Sequence, residues 1–228
     1  MHYLIPLMNN RVINEFFKIE GLHHVDQALK EGRGVVLMAA HLGNPHLAFC
    51  ALRVIGYDLI LIKGGAPKKA KHRQFRYRET TEDTIFIDDS VLPATYKEMI
   101  LKTLRAGKVI HYYGDTREGR AKEKILFLGR EMDFATGMIH LAHQARAAII
   151  PCIHLYQKGR IALIFREPID HHWERGVDEY KGIVSEFAKL VESYILHYPE
   201  QYMGIYGPTV LAHYYRSHQN GAMPIGEG

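Results

Sequence analysis

The sequence predicts an α/β fold: a mixed, mostly parallel sheet flanked by helices. Strand-like runs alternate with helix-like runs along the chain, which favours parallel strands joined by helical crossovers. The most apolar strand-like run, Gly34 to Ala40, carries no polar alternation, as a strand covered on both faces should not. Directly after it, Asn44-Pro45 offers an N-cap side chain and a proline for the first helical position.

In chain order, strands are expected at 35–40, 58–63, 84–87, 109–113, 147–153 and 161–166, with helices at 45–55, 96–106 and 138–145. Residues 181–197 form a long amphipathic pattern that places Ile183, Phe187, Leu190, Val191, Tyr194 and Ile195 on one side. The succession 84–87, helix, Gly107, 109–113 reads as a crossover unit. Neither an internal repeat nor a low-complexity linker interrupts the 228 residues, so one domain over 1–228 is expected. The segment 1–18 reads as helical, either packed on the core or lying on a membrane surface. Residues 216–228 have little to bury and read as a flexible tail.

With 47% hydrophobic and 24% charged residues, the composition is that of a globular protein rather than a disordered or fibrous one. No apolar run approaches the roughly 18–20 residues that span a bilayer. The N-terminus lacks the ordered regions of a secretory signal. Cys50 and Cys152 both lie in apolar runs and read as buried, reduced thiols of a reducing compartment. The net charge of +4 is unevenly spread: Lys63, Lys68, Lys69, Lys71, Arg73, Arg76 and Arg78 follow one another without an acid between them. Such a run is either a solvated loop or a surface that meets phosphate.

Chemistry concentrates at His41-Leu42-Gly43-Asn44-Pro45-His46. A histidine delivered from a strand end onto a helix mouth is placed for proton transfer. The first helical amides beside it suit an anion or a developing oxyanion. Gly43 would let backbone approach a ligand. The plain alternative is a strand-to-helix turn with polar loop histidines.

Further motifs follow in order: Ile19-Glu-Gly-Leu-His-His24, then 28–34, Tyr113-Gly-Asp115, Phe127-Leu-Gly-Arg130, Ala135-Thr-Gly137, Ile149-Ile-Pro-Cys152 and Tyr198-Pro-Glu-Gln201. Together with His41 to His46 they resemble the bacterial lipid A biosynthesis acyltransferase family, of the lauroyl/myristoyl type, over about residues 17–206. The resemblance implies a glycerophospholipid-acyltransferase-like α/β domain, peripheral to the cytoplasmic face of the inner membrane. It implies acyl transfer from acyl carrier protein or acyl-CoA to a hydroxyl or amine of a lipid or glycolipid. No cofactor is implied. His41 would be the general base. Gly43, Asn44, Thr136 and Gly137 would line the substrate site, and Arg73, Arg78, Arg117 and Arg120 are candidates for acceptor or carrier phosphate.

Three departures from the family pattern stand out. The family's H-x4-D/E motif ends here in His46 rather than a carboxylate, its tryptophan is Pro45, and the family-like region begins early in the chain. A neutral His46 can fix a tautomer of His41 but cannot stabilise imidazolium by charge, and a helix N-terminus disfavours its protonation. Asp115, at its own strand end, is the candidate to supply the missing charge. Without such a carboxylate the chain would be a catalytically impaired relative that binds acyl chains, carrier protein or anionic lipid. Metal-dependent hydrolysis through His41, His46, His111, His140 or His143 lacks an H-E-x-x-H signature. Nucleic-acid binding has only the 63–78 run behind it, so no nucleic-acid partner is expected.

Overall fold

The computed structural model describes residues 8–64, 84–87, 93–117, 121–169, 177–203, 211–212 and 214–216. Asn9 caps helix α1 (Asn10–Phe16) by accepting from the Val12 N–H at 3.0 Å, and the chain then turns into strand β1 (Phe17–Glu20). Helix α2 (His23–Lys30) leads to β2 (Val35–Ala39), every residue of which is buried. Helix α3 (Pro45–Ile55), strands β3 (Leu59–Gly64) and β4 (Thr84–Ile87), helix α4 (Pro93–Arg105) and strand β5 (Val109–Tyr113) follow. The hairpin β6 (Lys122–Phe127) and β7 (Arg130–Ala135) precedes helix α5 (Gly137–Ala145). Strands β8 (Ala148–Gln157) and β9 (Arg160–Phe165), helix α6 (Val177–His197) and a 3₁₀ turn (Pro199–Gln201) complete the order.

The main sheet has seven strands in the order β1-β9-β8-β2-β5-β3-β4. All neighbours are parallel except β8 and β9, which form an antiparallel hairpin. The mixed, mostly parallel sheet is therefore as expected. Two apolar layers cover its faces. Leu47, Phe49 and Leu52 of α3 pack on one face with Val35 and Leu37. Leu104 of α4, Ile139 of α5 and Phe187 of α6 pack on the other with Val36 and Met38. Burial on both faces explains the uninterrupted apolar run of β2, where each large side chain contributes about 1.5–3 kcal/mol.

Several elements differ from the sequence expectation. Strand β1 replaces part of the expected N-terminal helix, so Phe17 and Lys18 pair with Ile161 and Ala162 instead of continuing a helix. Met8, Ile13 and Phe17 are buried in the α3 layer, so the described part of this segment packs on the core. Helix α2 and the β6–β7 hairpin have no counterpart in the expectation. The hairpin turns at Leu128 and Gly129, which share left-handed backbone (φ 49° and 73°), as a two-residue turn requires. Strand β8 runs to Gln157 rather than Ile153, because β9 pairs with its extension. No helix among the described residues is long and apolar enough to cross a membrane. Of the expected tail, 217–228 lie outside the described residues.

Candidate active site

Strands β2 and β5 are parallel neighbours in register, Ala39 opposite Tyr113, and two residues past each strand stand His41 and Asp115. From β2 the chain leaves into α3 on one face. From β5 it leaves through β6–β7 and α5 to the other. Adjacent parallel strands whose exits part in this way make the crevice in which open α/β sheets bind ligands.

In that crevice the His41 Nδ1 lies 2.8 Å from the Asp115 Oδ1. The His41 backbone N–H also donates to both carboxylate oxygens, at 3.2 and 3.1 Å. Asp115 is fully buried, while the His41 side chain is 33% exposed. A carboxylate that only accepts requires the proton on Nδ1, which leaves the Nε2 lone pair for a substrate proton. The ring is further fixed by stacking on Tyr113, with centroids 4.2 Å apart and planes 17° from parallel. His111 meets the edge of Tyr113 at 5.3 Å, and fully buried His154 approaches the carbonyl of Leu42 through Nδ1 at 3.2 Å.

The turn after His41 is held on two sides. Gly43 has φ 66°, and a Cβ there would lie 2.2 Å from the carbonyl oxygen of His154, so no other residue fits without moving β8. Leu42 forms an antiparallel bridge with Tyr202. In that bridge the Gly43 N–H donates to the Gln201 carbonyl at 2.8 Å and the Met203 N–H donates to the His41 carbonyl at 2.7 Å. The amide of Gly43 is thus engaged by the fold. Asn44 caps α3 through its side chain, which accepts from the Leu47 N–H at 3.3 Å, and Pro45 opens the first turn.

The other sequence candidates fall into three groups. Thr136 is buried at the start of α5 and Gly137 follows it. Both are brought towards the Asp115 segment because the Ala135 N–H donates to the Thr116 carbonyl at 2.9 Å. Arg117 is exposed two residues beyond Asp115. The His46 side chain, Arg73, Arg78 and Arg120 lie outside the described residues. Tyr113 and the 201–203 segment are site neighbours that the sequence reading did not single out, although Tyr113-Gly-Asp115 contained the first and Tyr198-Pro-Glu-Gln201 reached the start of the second. A groove between the end of β9 and α6, lined by His24, Phe165, Arg166, Glu167, Glu186 and Leu190, shares no residue with this site. Burial, and then the charge of His23, hold the His24 imidazole below its ordinary pKa. Among the described residues no group of three or more His, Cys, Asp or Glu is arranged to hold a metal ion.

No match is found among curated proteins. Among solved structures, the 1-acyl-sn-glycerophosphate acyltransferase PlsC from Thermotoga maritima is similar at 14% identity and a TM-score of 0.49, over 85% of this chain and 79% of that one. The family model for bacterial lipid A biosynthesis acyltransferases matches residues 1–206, the whole sheet and the His41 crevice included. A match of that extent settles the kinship: the chain belongs to the bacterial lipid A biosynthesis acyltransferase family and is an acyltransferase.

Proposed function

We propose that this acyltransferase moves a fatty acyl group from a thioester, on acyl carrier protein or coenzyme A, to a hydroxyl or amine of a lipid or glycolipid. His41 is the general base and Asp115 its carboxylate. The observation that carries the reading is the 2.8 Å contact between His41 Nδ1 and the buried Asp115, at the ends of two adjacent central strands.

The chemistry follows from that contact. Nε2 of His41 takes the proton of the acceptor hydroxyl as its oxygen attacks the thioester carbonyl carbon. The imidazolium so formed is stabilised by the Asp115 charge. Collapse of the tetrahedral intermediate breaks the C–S bond, and the leaving thiolate takes the proton from His41. The oxyanion would be met by amides of the α3 N-terminus beyond Gly43 or by a basic side chain. Arg73, Arg78, Arg117 and Arg120 are the candidates for the phosphates of donor or acceptor, because guanidinium matches phosphate in geometry. A lipid acceptor places the enzyme at a membrane surface, the cytoplasmic face of the inner membrane by the sequence resemblance, and the basic run at 63–78 fits an anionic one.

The reading is tested by thiol release from an acyl thioester with and without a lipid acceptor. Release should require acceptor, and His41→Ala should lower it by about 10²–10⁴-fold, the range of general-base contributions. Full activity in that variant would remove His41 from the mechanism.

A further inference from the structure

Strand β2 stops pairing with β8 at Ala39 opposite Cys152, yet β8 continues to Gln157. Beyond that point the edge that β2 has left must be satisfied by something else. Gln157 faces Arg160 across the two-residue turn Lys158-Gly159, so it is bonded to β9 and its neighbour Tyr156 faces the vacated edge. The side chain of Gln201 fills that place. Its Oε1 accepts from the Tyr156 N–H at 2.7 Å, and its Nε2 donates to the Tyr156 carbonyl at 2.8 Å. A primary amide offers one acceptor and one donor side by side, the same pair that a missing strand residue would have offered. The backbone carbonyl of the same residue accepts the Gly43 N–H at 2.8 Å. Gln201 therefore ties the overhang of β8 to the turn that follows His41.

We infer that Gln201 is a positioning residue for His41: it holds the 41–43 turn against β8 so that the imidazole stays aligned on Asp115. This rests on the acyl-transfer reading above for its consequence in turnover, but not for its geometry. Gln201 touches neither His41 nor the reacting atoms, and it acts through Gly43 and Tyr156. Glutamate at 201 would keep the acceptor for the Tyr156 N–H and lose the donor to its carbonyl. Alanine would lose both.

The test uses the full chain with Gln201→Ala and Gln201→Glu. The first readout is the His41 Nδ1–H proton by NMR, assigned by its loss in His41→Ala. Its exchange with water should accelerate at least tenfold in Gln201→Ala and by a smaller factor in Gln201→Glu. In turnover, kcat should fall about tenfold in Gln201→Ala while KM for the thioester changes less than twofold. If Gln201→Ala does not fold, Gln201→Glu decides alone. Unchanged exchange of the His41 proton in a folded variant overturns the inference, as does the lack of a protected Nδ1–H in the parent chain. If exchange responds but His41→Ala retains full activity, positioning stands and the general-base reading falls.

Discussion

Two histidine clusters among the described residues have partners that differ in kind. At the strand ends, His41 faces the buried carboxylate of Asp115. Between α5 and α6, His140 and His143 share the hydroxyl of Tyr180, at 3.2 and 2.6 Å. Gln144 donates to the His140 Nε2 at 2.8 Å, so His140 carries its proton on Nδ1 and donates to the Tyr180 oxygen. The Tyr180 O–H then donates to His143. The partners that these two rings share are a hydroxyl and an amide rather than a carboxylate. Burial, and then the charge of Glu179, push the Tyr180 hydroxyl above its ordinary pKa, which keeps it a donor. Such an arrangement ties two helices together through a shared hydroxyl. The first cluster has a carboxylate charge against the ring itself, mounted on the two central strands. Histidine content is therefore uninformative here, and the partner decides between structure and chemistry.

The largest effect should come from removing that charge. Asp115→Asn keeps an oxygen for the backbone N–H of His41 but can no longer compensate the imidazolium. Turnover should fall about 10²–10⁴-fold while the melting temperature stays within a few degrees. A fall of less than fivefold would reduce Asp115 to a structural partner and erase the distinction between the two clusters.

His46 sharpens the same contrast at an intermediate scale. Since Asp115 already supplies a carboxylate, His46→Glu should change kcat by less than about tenfold. A gain of several hundredfold would instead mean that the family's usual motif carboxylate was the missing element.

At the small end, Tyr180→Phe should leave kcat within twofold and cost about 1–2 kcal/mol through the two lost hydrogen bonds. That corresponds to about 2–4 °C of melting temperature per kcal/mol in a chain of this size. A loss of turnover comparable to that of Asp115→Asn would bring the helix cluster into the reaction.

Legibility in the sequence followed burial. The fully apolar β2 and the Asn44-Pro45 helix start were readable because one periodicity and one cap suffice to specify them. Strand β1, four residues with two charges, and the hairpin of Lys122–Phe127 and Arg130–Ala135 were not. Their outward positions are mostly charged, and the exposed Leu126 breaks the alternation, so pattern alone does not separate strand from loop. The Phe127-Leu-Gly-Arg130 motif was visible, but the two left-handed residues that make it a hairpin turn are a property of pairing.

The sequence by itself determined the parallel α/β class, the strand-to-helix turn bearing His41 and, through its ordered motifs, the acyltransferase kinship. Those are local or cumulative signals, carried by residues near one another or in a fixed order. Only the tertiary structure decided what faces His41. Asp115 is 74 positions away in the chain and becomes its neighbour because β5 inserts between β2 and β3. Gln201 arrives from beyond α6 to hold the same turn. Contacts of that separation depend on strand order and register, which hydrophobic pattern constrains only to a face and never to a partner.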